Sequence, residues 1–297
     1  MSIYTLAALK LGDDVIDGIQ SDEHSAGVNE VVVGADGQVY ETFAAMISQV
    51  SQVSFSTVKV STLLDLIGMS GSNIETGSPL ELYFTERAQG GVNETTGVKV
   101  SCPYGMIYPQ TLSASGSFAT ISAVVDLRGN DDGTSGVSAP FSITLDQTVP
   151  ATATVDELFA AGPITIDSAD AGEIVDMSVE FGITPANILP AQHYYNTFVG
   201  INTIKPRMSA SIRNGDLMNT LGIGGKAASS SVVFRFNKIA EGGTRASTGH
   251  LTFTANQTRL HVATHGGSHE DDSTVSSLMV TPTYDGTNIP VVYAKTT

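Results

Sequence analysis

Tryptophan is absent from this 297-residue sequence, and cysteine occurs once, as Cys102. A single cysteine cannot form an intramolecular disulfide, and it excludes CxxC metal and redox motifs. Because Cys102 precedes Pro103 and has no histidine nearby in the sequence, we expect a buried, inert thiol. No run of about 18 apolar residues occurs, so no helix is predicted to cross a membrane, and we expect no signal peptide.

Positive charge is scarce. The chain has 14 Lys and Arg against 30 Asp and Glu, a net charge of −16. This disfavours a basic nucleic-acid-binding surface, because phosphate neutralisation needs clustered Lys and Arg. The imbalance is concentrated in residues 1–150, which hold 17 acids and five bases. An apolar content of 41% nevertheless argues for a folded core rather than disorder.

Three of the six histidines lie at positions 261, 265 and 269. If this segment forms a strand, His261 and His265 are about 13 Å apart at ~3.3 Å per residue, too far to share one metal ion. A helix would bring them together, but the Gly-Gly that follows His265 disfavours one. We therefore interpret the segment as a solvent-facing strand and loop, not as a metal site.

Signatures of catalysis and cofactor binding are missing as well. The glycine-rich stretch before Lys226 resembles a phosphate loop, but Thr220 stands where its first glycine belongs and Ala227 replaces the Ser/Thr. No G-x-S-x-G motif occurs, and adjacent acids such as Asp13-Asp14 are typical of solvated turns. The sequence therefore predicts no catalytic residue, no cofactor and no metal.

The sequence does contain a long-range repeat. Matching segments follow one another in the same order at offsets between 152 and 155 residues: 38–43 with 193–198, 63–71 with 217–225, 88–91 with 240–243, 96–97 with 248–249, and 120–122 with 274–276. Small loop insertions in a duplicated unit account for such a drift. We predict a tandem duplication, with one copy over 1–150 and the other over 151–297.

Two kinds of short helix are predicted. One follows the linker near 154–162, with Thr154 as its N-cap, Glu157 as the capping-box partner and Gly162 after its C-terminus. The other is repeated: Ser61–Ile67, ended by Gly68, has a counterpart at Asn214–Leu221.

Most of each copy has a β pattern. Apolar and polar residues alternate in runs of five to eight, separated by Gly- and Asp-rich turns, which is typical of antiparallel strands. Asp132-Gly133 and Asp285-Gly286 are candidate hairpin turns, and Pro206 indicates an edge or a bulge. The predicted fold class is mainly β, with two tandem β-sandwich or partial-barrel domains and a short helix flanking each.

Two segments, Asp22–Val39 and Ile174–His193, carry valine and isoleucine without a regular period. Long stretches without structure of their own are uncommon in a compact domain unless they are functional or meet a partner. We predict that both are arms that reach adjacent subunits.

A strand followed by Tyr-x-Thr-Phe, a polar β-run, a short Leu-Leu-x-Leu-Ile-Gly helix and a series of β-hairpins resembles the major tail tube proteins of long-tailed bacteriophages. The second copy carries the resemblance best, in segments 162–166, 179–183, 197–201, 207–212 and 221–222. The resemblance implies a virion structural protein, made in the host cytoplasm. In that family the inner sheets of neighbouring subunits join into one barrel, and a long loop stacks each ring on the next.

The partners implied by this resemblance are further copies of the chain and other tail proteins: the tape measure, the tail terminator and the distal tail protein. DNA passes through the lumen without specific binding, and no catalytic residue is carried over. Two tube domains in one chain imply rings of three chains with pseudo-sixfold symmetry. We also predict that the basic residues Lys59, Lys205, Arg207 and Arg213 face outward or pair with acids, leaving a negative lumen.

Two other classes of protein stay open. One is a different virion assembly protein, such as a capsid-decorating trimer, a tail terminator or a baseplate ring. The other is an enzyme or lectin built on a duplicated β-sandwich, which would need a convergent polar pocket.

Overall fold

The fold consists almost entirely of antiparallel strands. The computed structural model describes residues 4–36, 39–87, 93–116, 118–130, 137–151, 155, 157–213, 226–227, 231–240, 243, 245–267 and 274–296. These residues contain 24 strands and one helix, which confirms the mainly-β fold class. The predicted Asn214–Leu221 helix, the Thr154 cap and the Asp132-Gly133 turn lie outside the described residues.

The N-terminal half contains twelve strands and the helix: β1 (Tyr4–Leu11), β2 (Asp14–Ile16), β3 (Ile19–Ser25), β4 (Val28–Val33), β5 (Phe43–Gln49), β6 (Gln52–Thr57), α1 (Val60–Ile67), β7 (Ser72–Ile74), β8 (Leu80–Arg87), β9 (Asn93–Cys102), β10 (Gly105–Ser115), β11 (Ala119–Leu127) and β12 (Ser142–Thr148). The C-terminal half contains twelve more: β13 (Leu158–Ile166), β14 (Ala169–Asp170), β15 (Glu173–Glu180), β16 (Ile183–Ile188), β17 (Phe198–Ile204), β18 (Arg207–Arg213), β19 (Lys226–Ala227), β20 (Ser231–Ile239), β21 (Arg245–Asn256), β22 (Thr258–Gly267), β23 (Thr274–Pro282) and β24 (Val291–Thr296).

The two halves have the same strand order. One five-stranded sheet runs β12-β9-β8-β1-β2, and the other runs β24-β21-β20-β13-β14, so the strands correspond one to one. A ten-stranded sheet contains β19-β22-β23-β18-β15 from the C-terminal half and the matching β10-β11-β6-β3, with β7 paired to β10, from the N-terminal half. Pairing of β15 with β10 joins the two parts. The same topology thus recurs in both halves, which share one sheet, and the duplication stays a prediction.

Irregularities in the strands also recur. A bulge interrupts β10 between Pro109 and Thr111, and the corresponding strand β22 has one between Val262 and Thr264. Strands β3 and β15 each have a bulge after their first paired isoleucine. Because bulges re-aim every side chain that follows them, their repetition keeps the same positions facing the core in both halves.

The core lies between the ten-stranded sheet and the two five-stranded sheets. Alternate residues of each layer are buried in a single cluster that includes Leu82, Ile121, Phe253 and Leu278. Helix α1 covers the N-terminal half with four apolar side chains spaced i, i+3, i+4 and i+7, all at most 3% exposed: Val60, Leu63, Leu64 and Ile67. The helix predicted over Ser61–Ile67 is thus confirmed, and it ends at Gly68, whose φ is +67°.

The predicted linker helix near 154–162 is wrong. Residues Leu158–Ile166 form strand β13 instead, paired with β20. Phe159 and Ala161 are buried between the sheets, and Gly162 lies at a bulge where a Cβ would be 2.5 Å from the carbonyl oxygen of Arg235. Ala-Ala-Gly is locally compatible with a helix end, but pairing with β20 decides the structure.

Two further expectations differ from the structure. Asp285-Gly286 is not a hairpin turn, since it lies in the loop that joins β23 and β24, which belong to different sheets. The Asp285 carboxylate instead accepts hydrogen bonds from the backbone of Thr287 and Asn288. Pro206 lies between β17 and β18, where the chain leaves a hairpin and enters an interior strand.

The predicted arms Asp22–Val39 and Ile174–His193 are not segments without structure of their own. Each begins in a strand of the ten-stranded sheet, β3 or β15, and continues into the first strand of a two-stranded β-hairpin. Strands β4 and β5 pair with each other as a two-stranded ribbon (the first hairpin), and β16 and β17 do the same (the second hairpin). The repeated threonine of the Tyr-x-Thr-Phe motif closes each one: Thr42 donates its backbone N–H to Val33 O at 3.0 Å, and Thr197 donates to Ile188 O at 2.9 Å.

A glycine with positive φ starts each hairpin. Gly27 (φ +56°) and Gly182 (φ +62°) accept the backbone N–H of Val50 and Lys205 from the returning strand. A Cβ on either glycine would overlap the carbonyl oxygen of that same residue. These two necks therefore require glycine, both for the left-handed backbone and for the close approach.

Replacing Gly182 by alanine should lower the free energy of unfolding by about 2 kcal/mol or more, because the left-handed conformation and the overlap with Lys205 O both oppose a side chain. Gly116 is a matched control, since its φ is +72° and nothing lies within 4 Å of a Cβ there. Gly116→Ala should cost about 1 kcal/mol. Urea denaturation measures both, and equal losses would contradict the role of the neck.

Candidate assembly interface

The two halves meet first through backbone pairing. Strand β15 pairs with the second part of β10, in a register that runs from Thr111 opposite Glu180 to Ser115 opposite Asp176. Because β15 is covered on both sides, its core-facing residues Met177 and Val179 are at most 1% exposed. We call this β15–β10 pairing the internal seam, and it joins strands of both halves into one sheet.

The second hairpin forms another contact between the halves. Val199 near its loop and Ile183 at its base pack on Met106, Tyr108 and Val124 of the N-terminal half. By strand alternation these three side chains lie on the side of the ten-stranded sheet that faces away from the core. The hairpin therefore covers one end of that face.

A buried polar cluster lies beside this contact. Asp126, which is 2% exposed, accepts hydrogen bonds from Gln52 Nε2 at 2.7 Å and from Tyr108 OH at 3.0 Å. Burial, followed by the Asp126 carboxylate, raises the pKa of Tyr108 above its usual range. The tyrosine hydroxyl thus stays protonated and donates a hydrogen bond to the carboxylate.

Helix α1 makes the third contact, with the C-terminal half. Lys295 Nζ on β24 donates to Ser61 Oγ at 2.9 Å and lies 3.4 Å from Asp65 Oδ2. Tyr293 OH donates to Asp65 Oδ1 at 3.3 Å, and Ser61 Oγ also donates to Glu157. Burial, with Asp65 as the next cause, raises the pKa of Tyr293. Glu157, expected to cap a helix, instead joins the two halves.

Two backbone hydrogen bonds connect the loop between β16 and β17 to the N-terminal half. Gln49 N, at the end of the first hairpin, donates to Tyr194 O at 2.6 Å. Gly129 N donates to Asn196 O at 2.9 Å. The loop of the second hairpin is therefore held against the N-terminal half at two places.

Each surface used in this internal interface has a counterpart that is left open. Strand β3, which corresponds to β15, pairs only with β6 among the described residues. Strand β22, which corresponds to β10, pairs with β23 and, at Arg259 and Leu260, with β19. Within the described part of the chain, its residues from Thr264 onward have no partner on the outer side.

The surface that corresponds to the α1 docking site is also open. Aligned through their pairing with β9 and β21, Ile143 and Leu145 of β12 take the places of Tyr293 and Lys295. Both are apolar and more than 60% exposed. Sequence inspection did not single them out, because an apolar residue in an alternating strand looks like an ordinary core position.

The first hairpin presents apolar side chains to solvent. These are 37–61% exposed: Val28, Val31, Val32, Val33, Phe43, Met46 and Ile47. A two-stranded ribbon in water is marginally stable alone, and exposed apolar surface is typical of interaction sites.

The side of the ten-stranded sheet that faces away from the core is the polar face. Serine hydroxyls line it across several strands, and pairs of them approach closely: Ser21 and Ser56 Oγ atoms lie 2.7 Å apart, and Ser178 and Ser209 Oγ atoms 2.9 Å apart. By alternation, the described residues of this face include five carboxylates, Glu23, Asp126, Glu173, Asp176 and Glu180, and three arginines, Arg207, Arg213 and Arg259.

Four basic residues were expected to face outward or pair with acids. Lys59 is 5% exposed and precedes α1, away from the polar face, and Lys205 is exposed at the neck of the second hairpin. Arg213 lies 3.9 Å from Glu173, and Arg207 is directly opposite Glu180 in the β15–β18 register. The two arginines are therefore on the polar face, each beside a carboxylate.

The other sequence candidates have simple positions. Cys102 is fully buried, and burial raises its pKa to about 12. His261 and His265 lie on strand β22, as predicted, and His269 is outside the described residues. Among the described residues no group of three His, Cys, Asp or Glu could hold a metal ion. In the same residues, no helix combines the length and the apolar character needed to cross a membrane.

No protein-family model matches the chain, and no curated protein matches it.

The Asp126 cluster gives a test of the contact under the second hairpin. Tyr108→Phe removes one of the two donors to a buried carboxylate, and we expect the free energy of unfolding to fall by about 1–3 kcal/mol. Tyr284, which is 64% exposed, is the control: Tyr284→Phe should change it by less than about 0.5 kcal/mol. Urea denaturation measures both variants, and equal losses of unfolding free energy would show that the hydrogen bond from Tyr108 to Asp126 does not stabilise the fold.

Proposed function

We propose that this protein is a virion structural protein that forms the tail tube of a long-tailed bacteriophage. In this proposal three chains form a ring, rings stack into a tube in the virion, and DNA passes through the lumen during ejection. The observation that carries the proposal is that the chain uses one interface internally and leaves both complementary surfaces of that interface open at its ends.

The direction of the internal interface is compatible with a closed ring. The strand at one side of the N-terminal half pairs with a different strand of the C-terminal half, so the contact is head-to-tail. Head-to-tail interfaces generate closed rings or open helices. Each chain supplies two equivalent units, so three chains supply six, which matches the pseudo-sixfold ring that the sequence resemblance implies.

The hairpins are suited to stack one ring on the next. The second hairpin is partly used inside the chain, whereas the first hairpin keeps its valines, Phe43 and Met46 in solvent. In the proposed tube, the first hairpin packs on a chain of the neighbouring ring. Burial of this apolar surface would supply the main driving force for stacking.

The polar face suits a lumen that DNA passes without adhering. Hydroxyl groups dominate it, and its described carboxylates other than buried Asp126 outnumber its arginines by four to three. Each free cation facing DNA would add a salt-dependent phosphate contact, but Arg213 and Arg207 lie beside Glu173 and Glu180. A net negative lining remains a prediction for the assembled ring.

Negative-stain imaging of the purified protein tests the proposal. We expect tubes of stacked rings whose end-on averages have true threefold and approximate sixfold symmetry. Rings of six full-length chains would contradict the proposed use of the duplicated unit.

The same images distinguish the alternatives. Discrete trimers that never stack would favour a capsid-decorating protein or another ring of the virion. Monomers at all concentrations would overturn the proposal in favour of an enzyme or lectin. For that class, a shallow cleft of about 260 Å³ lined by Ser21, Asp22, Glu23 and Gln110 would be the first place to examine.

Stacking by the first hairpin can be tested separately. The triple variant Val33→Thr, Phe43→Thr, Met46→Thr keeps residues that favour strands while removing apolar surface. We expect it to stay folded and to form single rings but no tubes. Substitution is preferable to deletion of Gly27–Gly34, because that deletion would remove β4 and leave β5 unpaired.

The control replaces exposed apolar residues elsewhere. Tyr284 and Ile289 are 64% and 58% exposed in the loop before β24, and the double variant Tyr284→Thr, Ile289→Thr should form tubes as the original chain does. Long tubes from the hairpin variant, seen in the same images, would show that this hairpin does not stack the rings.

A further inference from the structure

The seam inside the chain and the seam between chains would differ in chemistry. Aligning β3 with β15 through their bulges places Asp22 at the position of Met177 and His24 at that of Val179. Asp22 is opposite Phe55, and His24 is opposite Val53, both of which are core residues. Two ionisable side chains thus occupy core-facing positions on the open edge strand.

We propose that β3 pairs with β22 of a second copy of this chain, with Ser25 opposite Thr264, and that Asp22 and His24 weaken this seam relative to the one inside the chain. The inference rests on the ring assembly proposed above. It adds the strand register of the contact between chains and the two residues that limit the strength of that contact. The register follows from the internal seam, because Glu180 corresponds to Ser25 and Thr111 corresponds to Thr264.

The environment of Asp22 and His24 supports the proposal that these residues weaken the seam between chains. The His24 ring already packs edge-on against Phe141, with ring centroids 5.1 Å apart. Burial raises the pKa of Asp22 and lowers that of His24, so the charged form of each is disfavoured even at the open edge. A strand from a second copy would cover both further, and desolvating a charged group opposes pairing.

Inward-pointing charges on an edge strand are one way in which proteins prevent uncontrolled strand pairing. The internal edge does not need this protection, because β15 and β10 belong to the same chain and pair at high effective concentration. Met177 and Val179 can therefore be apolar there. The open edge has to stay soluble in the free chain and still accept a partner.

Disulfide cross-linking tests the register. Directly opposed residues of antiparallel strands have Cα atoms about 4.5–5.5 Å apart, within the range that a disulfide spans. The double variant Ser25→Cys, Thr264→Cys should, on oxidation, give covalent dimers and trimers and nothing larger. Seven strand spacings of about 4.8 Å separate β3 from β22 along the sheet, so the bond cannot form within one chain. Buried Cys102 does not compete.

Two matched pairs of cysteines control this experiment. Thr111→Cys with Glu180→Cys occupies the internal seam and should cross-link within single chains, without a change in mass on a denaturing gel. Ser25→Cys with His261→Cys is displaced by roughly 10 Å along β22 and should not cross-link. Rings that form in images while the Ser25–Thr264 pair stays uncross-linked would overturn the seam but not the proposed function. Absence of any ring would overturn both.

Introducing the apolar residues of the internal seam, methionine and valine, at positions 22 and 24 tests the role of Asp22 and His24. The variant Asp22→Met, His24→Val should assemble at a protein concentration about tenfold lower or less, because no charged group is then desolvated on pairing. Glu23→Ser is the control, since it removes a carboxylate from the same strand but from the polar face. If Asp22→Met, His24→Val assembles at an unchanged or higher concentration in mass photometry, the two residues do not weaken the seam.

Discussion

A strand at the edge of a sheet leaves backbone N–H and C=O groups unpaired, and these groups must be covered, paired or protected. The ten-stranded sheet depends on how this requirement is met. Inside the chain, β15 pairs with β10, and this pairing aligns the two halves, positions the second hairpin over Tyr108 and brings β24 to helix α1. At the ends of the sheet, β3 and the second part of β22 have no such partner among the described residues.

In the proposed ring, the internal interface is the template for contacts between chains. Two of its components have recognisable open counterparts: the β3 and β22 edges, and the exposed Ile143 and Leu145 on β12. A chain with only one unit would show none of these relations, because one partner of every contact would be in another molecule. Because the topology is repeated, both surfaces of the proposed contact between chains can be identified in one chain.

Local patterns were sufficient for much of this fold. Alternation predicted the strands, and a repeated segment ended by Gly68 predicted α1. Local sequence gave the wrong prediction, a helix, for Leu158–Gly162, because only pairing with β20 decides between strand and helix there. It failed for the two hairpins for another reason: a ribbon exposed on both sides has no buried face, so Val28–Val33 shows no alternation. The candidate site was harder, because the roles of Asp22, His24, Ile143 and Leu145 depend on which strands lie at a sheet edge. That is a property of topology rather than of local sequence, although the 155-residue offset does place Asp22 at the position of Met177.

The number of chains in one closed ring tests the central claim most directly. The Val33, Phe43 and Met46 triple variant is suited to this measurement, because it should not stack and each particle is then a single ring. Native mass spectrometry should find particles of one, two and three chains of 30.9 kDa, with three as the largest. A closed particle of six chains, or a series that continues past three without closing, would contradict the account.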